Sequence, residues 1–599
     1  MKPTMEILER LNENSKTNQE EVFTKVYRYL LRPDIYYEAY QHLYANKGAS
    51  TKGTNEDTAD GFNEKKITRI IKELKEGTFE PTPVRRTYIE KRKGGREKRP
   101  LGIPTFTDKL VQEVLRMVLE SIYEPLFLDC SHGFRPGKSC HTALKQVKNQ
   151  FMGMRWFLEG DIKGCFDNIN HEVLVRIIRQ KIADARIIGL IYKFLKAGYI
   201  ENWQYHNTYS GTPQGGIISP LLANIYLHEL DKFVMKQKEK YDTKRKGRER
   251  KEYRAARYQT EKLKKQIKSA TGNERERLIA EYKKARAEQL KIPYTNQTDK
   301  KIRYIRYADD FIIGINGSHE DCKKIKNELA QFINESLKME LSDEKTLITH
   351  SSEYAQFLGY NIRVRRTQII KHGGASHCKK RTLNNTTELT IPLNEKITKF
   401  LFDKKVMKQK KDGSLMPVHR AELIGCTDLE IVSTYNAELR GICNYYNLAS
   451  NFCHLNYFSY MMEYSCLKTL ANKHKCSISK IKQAFKDGRG SWGIPYETKA
   501  GKKICYFAKY QDCKKSINVS DITDESALIF RHSVNSFEKR LSAKVCELCG
   551  STKSKAYEIH HVNKLKNLKG KEAWEKAMIA KRRKTIVLCK ECHNKIHHQ

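Results

Sequence analysis

Two adjacent carboxylates, Asp309 and Asp310, have the chemistry of a metal site. They belong to the segment Tyr307-Ala308-Asp309-Asp310, which lies between two short runs of β-forming residues. Like charges at a hairpin tip repel each other, and a divalent cation removes that cost. A third carboxylate, Asp161, ends another largely apolar run. Three aspartates on neighbouring strand ends could hold two Mg²⁺ ions about 4 Å apart, as in-line phosphoryl transfer requires; an isolated Asp-Asp pair is more often a solvated turn.

Six motifs, of which the aspartate segment is the fifth, follow one another along the chain. They are Arg99-Pro100-Leu101-Gly102-Ile103-Pro104, His132-Gly133-Phe134-Arg135-Pro136-Gly137, Gly160-Asp161-Ile162-Lys163-Gly164-Cys165-Phe166-Asp167, Gly211-Thr212-Pro213-Gln214-Gly215-Gly216-Ile217-Ile218-Ser219-Pro220, Tyr307-Ala308-Asp309-Asp310 and Phe357-Leu358-Gly359-Tyr360. This series resembles the reverse transcriptases encoded by group II introns, and the resemblance covers the whole chain.

The resemblance implies a multidomain α+β fold. It consists of a right-hand polymerase, with fingers, a palm built on an antiparallel sheet and an α-helical thumb, followed by a small zinc-stabilised HNH domain of the ββα-metal type. The implied protein copies intron RNA into DNA from a nicked target end. As a maturase, it also binds the intron RNA and assists splicing. Its nuclease cuts the second DNA strand.

Several residues match positions that contact the incoming nucleotide in similar polymerases. Phe166 would lie under the sugar and exclude a 2′-hydroxyl, and the backbone carbonyl of Ile162 would add a metal ligand. The remaining positions, which would contact the triphosphate, the base pair or the template, are Lys91, Arg99, Gln214 and Lys345. An ordinary solvated surface charge is the alternative for Lys91 and Arg99.

Four cysteines form two C-x₂-C knuckles near the end of the chain. Cys546 and Cys549 make the first knuckle, and Cys589 and Cys592 make the second. Such turns present thiolates to one tetrahedral Zn²⁺, and four thiolates leave no open position, so the site is predicted to be structural. A module of about 55 residues has a small core, and metal binding would supply folding energy.

Histidines flank the second knuckle and follow the first. His593 and His597 are spaced i and i+4, hence on one helical face, and with His560 they could hold one divalent ion. His561 could then deprotonate water as a general base. The pattern resembles the zinc-knuckled HNH endonucleases. His598 is an alternative to His597.

One departure from the HNH pattern concerns its middle asparagine. That residue often stands a few positions before the second knuckle, where this chain has Lys584-Thr585-Ile586-Val587. The orienting role of the asparagine is therefore unassigned. A zinc ribbon that only binds DNA is the alternative for the module.

The charge balance indicates a polyanionic partner. The 599 residues include 112 Lys plus Arg against 70 Asp plus Glu, a net charge of +42, and such self-repulsion favours nucleic acid binding. The partners expected are intron RNA in a ribonucleoprotein, exon or target DNA and dNTPs, and the resemblance also admits a homodimer. The sequence has no apolar signal core and no run of about 18 apolar residues, which predicts an intracellular protein without membrane attachment. The resemblance implies a bacterial cytoplasm or nucleoid location.

The pattern along the chain and the family resemblance together predict five regions. Residues 1–60 are expected to be helical, because Val22, Val26, Tyr29 and Leu30 share a helical face, and the resemblance implies that they bind RNA. By the same resemblance, the other regions are fingers and palm at 61–385 with a basic insertion at 236–298, the thumb or maturase domain at 386–490, a DNA-binding region at 491–540 and the HNH module at 541–599. Within the insertion, residues 236–290 carry 20 basic and 9 acidic side chains, typical of a solvated helical hairpin that attracts phosphate.

Three other classes of protein share parts of this pattern. A splicing factor with an inactive polymerase would not need Asp161, Asp309 and Asp310 together. A viral or retron-type polymerase would not need the C-terminal module. A DNA-dependent repair enzyme would differ in its template, which primer extension on RNA and on DNA distinguishes.

Overall fold

A computed structural model provides the fold of the chain. It describes residues 3–90, 98–201, 204–206, 208, 210–211, 215–243, 249–292, 294, 299–367, 370–373, 378–381, 384–487, 491–498, 501–515, 530 and 533–598. Helices and strands are numbered separately in chain order. As far as Asp161 they are α1 (Thr4–Thr17), α2 (Asp34–Leu43), α3 (Glu64–Glu76), β1 (Val84–Glu90), β2 (Lys98–Ile103), α4 (Phe106–Tyr123), α5 (Cys140–Gln150) and β3 (Trp156–Asp161).

The central part of the chain alternates helices and strands. Its elements are α6 (His171–Arg179), α7 (Ala185–Lys196), β4 (Tyr199–Glu201), β5 (Gln204–His206), α8 (Ser219–Tyr241), α9 (Lys251–Ser269), α10 (Gly272–Lys291), β6 (Lys301–Tyr307), β7 (Asp310–Asn316), α11 (His319–Leu337), β8 (Ile348–His350), β9 (Ala355–Phe357), β10 (Tyr360–Val364), β11 (Ile370–Gly373), β12 (Cys378–Arg381) and β13 (Thr387–Thr390).

The C-terminal third is mostly helical before the last module. Its elements are α12 (Lys399–Asp403), β14 (Met407–Gln409), β15 (Leu415–Pro417), α13 (Asp428–Tyr445), α14 (Leu455–Lys473), α15 (Ile478–Phe485), β16 (Gly493–Thr498), β17 (Gly501–Tyr506), α16 (Tyr510–Lys515), α17 (Ser536–Ser542), β18 (Tyr557–His561), α18 (Ala573–Lys581), β19 (Thr585–Cys589) and α19 (Lys590–His597).

The palm sheet carries the predicted aspartates. Its strand order is β6-β7-β3-β8, and every neighbouring pair is antiparallel. Side chains alternate between the two faces of a strand; along β7, Phe311 and Ile313 belong to one hydrophobic core and Ile312 to a second. Hydrophobic residues therefore pack against both faces of the sheet, which fixes its register.

A second four-stranded sheet contains β1 and β2, and the basic insertion contains two helices. Strands β1 and β2 pair as a long antiparallel hairpin, and β4 and β5 extend the sheet beside β1. Helices α9 and α10 pack against each other as a hairpin, and their side chains are mostly exposed. Their charges therefore remain available to a polyanion.

The N-terminal region and the C-terminal module pack directly on each other. Phe62 pairs with Ile559 of β18 in an antiparallel bridge, and Gly61 N–H donates to the Ile559 carbonyl. Phe537 of α17 packs edge-on against the ring of Tyr40 in α2 at 5.0 Å. The hydrophobic core of the N-terminal region thus continues into the C-terminal module.

One local expectation is wrong. The segment that contains Val22, Val26, Tyr29 and Leu30 forms only a short 3₁₀ helix over Tyr27–Leu31, and Val22 is exposed. Phe23 instead makes a parallel bridge with Ile182, a tertiary contact that overrides the local helical periodicity.

Every described helix is too short or too polar to span a bilayer.

Candidate active sites of the palm and the C-terminal module

The palm sheet brings Asp161 and Asp310 face to face. Asp161 ends β3 and Asp310 begins β7, and the two are register partners in the antiparallel ladder. Asp309 lies in the tight turn between β6 and β7, where Ala308 has the left-handed backbone angle φ of 56°. The structure thus brings together three carboxylates that are up to 149 positions apart in sequence.

The aspartate turn is held by a buried arginine. Arg306 and Asp231 have fully buried side chains, and Arg306 Nη2 lies 2.7 Å from Asp231 Oδ2. Arg306 Nε also donates to Asp231 Oδ1 at 2.7 Å, while Nη1 donates to the Ala308 carbonyl at 2.9 Å. A guanidinium has the donors for both contacts, so the ion pair also anchors the residue that precedes the Asp-Asp pair.

Two glycines allow other motifs to approach this turn. A Cβ atom on Gly133 would lie 2.5 Å from the Ala308 nitrogen, and a Cβ atom on Gly160 would lie 2.1 Å from the Phe311 ring. Neither position has room for a side chain. The second and fifth motifs therefore meet by backbone contact at Gly133, and the third motif has glycine at position 160 because the Phe311 ring occupies the space of a side chain there.

The environment of the palm carboxylates disfavours their negative charge. Burial, then the charges of Asp161 and Asp309, raises the pKa of Asp310 to about 8. Burial and the charge of Asp161 also raise the pKa of Asp309. Crowded, desolvated carboxylates of this kind gain most from a bound cation. Lys345 Nζ donates to Asp161 Oδ2 at 2.7 Å, so a lysine ammonium partly neutralises the cluster.

The structure describes some, but not all, of the residues predicted to contact the nucleotide. Ile162 is buried next to Asp161 and bridges Leu341, and Phe166 is half-buried against Phe134, at 6.2 Å between ring centroids. Arg99, on β2, is close enough for its positive charge to oppose the rise in the pKa of Asp309. Two further predicted residues, Lys91 and Gln214, lie outside the described residues.

The four predicted cysteine ligands converge. The Sγ atoms of Cys546, Cys549, Cys589 and Cys592 all lie within 4.8 Å of one another, and Cys549 Sγ is 3.8 Å from Cys589 Sγ. A tetrahedral ion with Zn–S bonds of about 2.3 Å would separate its sulfurs by about 3.8 Å. The cluster fits zinc.

The predicted histidine ligands converge as well, together with a residue that was not predicted. His560, His593, His597 and Asp60 offer ligand atoms that lie within 4.8 Å of one another. Glu558 accepts from His593 Nδ1 at 2.7 Å, which leaves Nε2 facing the cluster. Burial alone would lower the pKa of His593, but contacts with Asp60 and Glu558 raise it to about 9. The cluster therefore has the ligands and the supporting carboxylate of a metal site.

His561 lies beside this cluster and against the N-terminal region. Its Nε2 is 2.9 Å from the Tyr44 carbonyl, and its Nδ1 is 3.5 Å from Ser50 Oγ. A carbonyl only accepts, so the hydrogen is assigned to Nε2 and a lone pair remains on Nδ1. Burial lowers the pKa of His561 and favours this neutral form. Thr585 is the β19 register partner of His561 and lies in the segment that lacks the HNH asparagine.

The structure also resolves which terminal histidine faces the others. His597 Nε2 is 3.2 Å from His593 Nε2, whereas His598 follows the end of α19 and belongs to neither metal-ligand cluster found among the described residues. Those two clusters are the four cysteines and the Asp60 set. The palm aspartates form no third cluster by the same 4.8 Å criterion.

Three residues important for these sites were missed from the sequence. Arg306 lies directly before the aspartate motif, and an arginine inside an apolar strand run was a usable signal for a buried partner. Asp231 stands 75 positions away on a helix, and Asp60 sits in an irregular segment remote from the module. Nothing in their spacing relates them to the sites.

Comparison with known protein families matches three parts of the chain. Residues 89–258 and 276–362 match the family "Reverse transcriptase (RNA-dependent DNA polymerase)". Residues 384–529 match "Type II intron maturase", and residues 546–593 match "AI2M/AI1M-like, HNH endonuclease".

Similar proteins occur in bacteria and in fungi. "Group II intron-encoded protein LtrA" of Lactococcus lactis subsp. cremoris is 60% identical over 600 residues, which covers 100% of both chains. The "Putative COX1/OXI3 intron 2 protein" of Saccharomyces cerevisiae is 33% identical, covering 98% of this chain and 68% of its own. The "Uncharacterized 91 kDa protein in cob intron" of Schizosaccharomyces pombe is 36% identical, covering 95% and 69%.

Proposed function

This chain belongs to the group II intron-encoded proteins, with reverse transcriptase, splicing maturase and HNH endonuclease functions, and we propose which of its residues carry them. The predicted family, fold class and enzyme classes are confirmed by these comparisons. The palm site performs polymerisation with Asp161, Asp309 and Asp310. The register pairing of Asp161 with Asp310 is the single observation that supports this assignment most strongly.

In the palm, the three aspartates would hold two Mg²⁺ ions, to which the Ile162 carbonyl adds a ligand. Such ions activate a primer 3′-hydroxyl and stabilise the transferring phosphate. Lys345, which donates to Asp161 in this structure, would contact the triphosphate together with Arg99. Phe166 supports the sugar. Lys91 and Gln214, which lie outside the described residues, complete the proposed nucleotide contacts.

In the C-terminal module, Cys546, Cys549, Cys589 and Cys592 would hold a structural Zn²⁺. The histidines His560, His593 and His597 would hold the nuclease's divalent ion, which polarises the scissile phosphate when bound. His560 fits this role because both its ring nitrogens are buried without a hydrogen-bond partner in the described part of the chain, a costly arrangement unless a ligand pairs with one. His561 Nδ1 takes the proton from the attacking water.

RNA binding is assigned to the N-terminal region, the thumb and the exposed α9–α10 arm. The arm carries much of the net charge of residues 236–290, 20 basic against 9 acidic, and mostly exposed side chains, so it can neutralise phosphates of intron RNA. Residues 491–540 are assigned to target DNA. A bacterial cytoplasm or nucleoid location follows from these partners, and a homodimer is compatible with them.

The test of the polymerase assignment is Asp309→Ala/Asp310→Ala. RNA-templated primer extension should fall by about 10⁴-fold or more, as for other residues that act as one catalytic unit. Binding of intron RNA and stimulation of splicing should stay within about twofold, because the RNA performs that chemistry. Extension that persists would refute the assignment, and loss of splicing would show that the pair is structural.

A further inference from the structure

The nuclease site contains a carboxylate from the other end of the chain. Asp60 precedes the strand-like contact of Gly61 and Phe62 with β18, and its side chain points into the histidine cluster. Its Oδ2 atom is 2.7 Å from His597 Nε2 and 3.3 Å from His593 Nε2. Asp60, which stands 500 positions before His560, therefore touches the proposed nuclease ligands.

The ligand atoms of this cluster are spaced about as closely as the ligands of one bound metal ion. Asp60 Oδ1 lies 3.0 Å from His560 Nδ1, and the two histidine Nε2 atoms of α19 are 3.2 Å apart. Ligand atoms about 2.1 Å from a common ion are separated by about 3.0 Å at neighbouring octahedral positions and by about 3.4 Å in a tetrahedral shell. One ion could therefore contact all four side chains after small movements.

Buried histidine nitrogens give an independent reason to place an ion here. His560 is only 5% exposed, yet among the described residues neither of its ring nitrogens has a hydrogen-bond partner. The nearby Asp60 oxygen is within ion-pair distance of Nδ1 but off the hydrogen-bonding direction. A metal ion between the two would satisfy both groups.

We propose that Asp60 is a fourth protein ligand of the nuclease metal ion, so that the N-terminal region completes the nuclease site. This inference rests on the proposed nuclease function. Mn²⁺ and Mg²⁺ accept six ligands, so two positions remain for a phosphate oxygen and water. The simpler alternative is that Asp60 only pairs with protonated histidines.

The same segment also orients the proposed base. The Tyr44 carbonyl accepts from His561 Nε2, while the His561 amide donates to Asp60 Oδ1 at 2.7 Å. The N-terminal region thus fixes the tautomer of the base and its strand position relative to the ligands. Backbone and carboxylate groups of this region supply an orienting function for which the module has no HNH asparagine at the usual place.

The test measures Mn²⁺ binding by electron paramagnetic resonance in the RNA-free, zinc-loaded full chain. All variants carry Asp309→Ala/Asp310→Ala, which removes the palm site. The parent should bind one Mn²⁺, and His593→Ala should abolish binding. Asp60→Ala should weaken binding at least about tenfold, the loss typical of a damaged ligand set. Asp60→Asn keeps an oxygen for the His561 amide, guards against misfolding and should also weaken binding at least about tenfold.

Glu56→Ala is the matched control, because Glu56 lies in the same segment with its side chain 83% exposed. It should bind Mn²⁺ like the parent. If both Asp60 variants also bind like the parent while His593→Ala does not, Asp60 is no ligand and only the inference fails. If His593→Ala retains Mn²⁺, the proposed nuclease metal site itself fails. If Glu56→Ala weakens Mn²⁺ binding as much as the Asp60 variants do, the effect comes from the general loss of negative charge and the inference fails.

Second-strand cleavage gives an independent readout. Asp60→Asn should cleave target DNA slowly at low Mn²⁺ and recover as Mn²⁺ is raised, because the lost ligand affects affinity. Faster cleavage than the parent would overturn the proposal, since Asp60 would then block the phosphate position.

Discussion

The palm and nuclease sites are assembled in opposite ways. In the palm, adjacent strands of one sheet carry Asp161 and Asp310, and the backbone ladder sets their separation. In the nuclease, β18 and α19 carry three histidines, while Asp60 arrives through docking of the N-terminal region. The first site depends on sheet register and the second on an interface, so perturbations should separate them.

The two sites also differ in what stabilises them. The palm turn rests on a fully buried ion pair, and the palm sheet packs between two hydrophobic clusters. The nuclease module has a small two-stranded sheet, four clustered cysteines and a contact with the N-terminal core. Loss of metal should therefore damage the nuclease fold far more than the palm fold.

The largest difference between the nuclease and polymerase activities is expected when the proposed zinc knuckles are disrupted. Cys549→Ser should destabilise the C-terminal module and lower second-strand cleavage by about 100-fold or more, because zinc binding supplies folding energy to so small a unit. RNA-templated extension should remain within about twofold. Zinc content and both activities measure this. The control is Cys453→Ser, an exposed free thiol outside the cluster, and a cleavage-competent Cys549→Ser protein without zinc would contradict the account.

Breaking the buried ion pair between Arg306 and Asp231 should damage the palm site and leave the nuclease site intact. Asp231→Asn leaves the Arg306 charge uncompensated and should cost about 3 kcal/mol in the free energy of unfolding of the palm, with primer extension reduced and nuclease Mn²⁺ binding retained. Urea unfolding provides the measurement. Glu340→Gln, which removes an ion pair with Lys163 at about 70% exposure of both side chains, should change stability by less than about 1 kcal/mol. Equal costs for both variants would refute an anchoring role.

A smaller, pH-dependent effect should arise at His132, next to the Gly133 contact. Burial lowers the pKa of His132 to about 4, below its ordinary value of about 6.5. The unfolded chain therefore takes up this proton first, and stability is lost as pH falls from about 6.5 towards 4. Between pH 7 and pH 5 the loss from this group should be about 2 kcal/mol. His132→Gln should lower this pH dependence; an unchanged slope would contradict it.

Local sequence signals predicted the parts of each site that single elements carry. Asp309 and Asp310 lie in one turn, the cysteines of each knuckle are three positions apart, and His593 and His597 share a helical face. The motif series related Asp161 to them. In each case a short spacing or an ordered motif reports a fixed local geometry.

Tertiary contacts account for what the sequence did not reveal. Arg306 and Asp231 meet only because α8 packs on β6, and Asp60 reaches the histidines only through the Phe62–Ile559 bridge. The Tyr44 contribution is a backbone carbonyl, which has no residue-type signature. The helical face expected around Val26 was wrong because a bridge from Phe23 to Ile182 determines the path of that segment.

The most direct test of shared metal binding by the palm aspartates is metal rescue. Asp161→Cys replaces a hard oxygen ligand by a thiolate, which binds Mg²⁺ poorly and softer ions better. RNA-templated primer extension by this variant should be lost in Mg²⁺ and restored at least partly by Mn²⁺ or Cd²⁺, whereas Asp161→Ala should stay inactive with every ion. Full activity of Asp161→Cys in Mg²⁺, or equal recovery of Asp161→Ala, would contradict the assignment of Asp161 as a ligand.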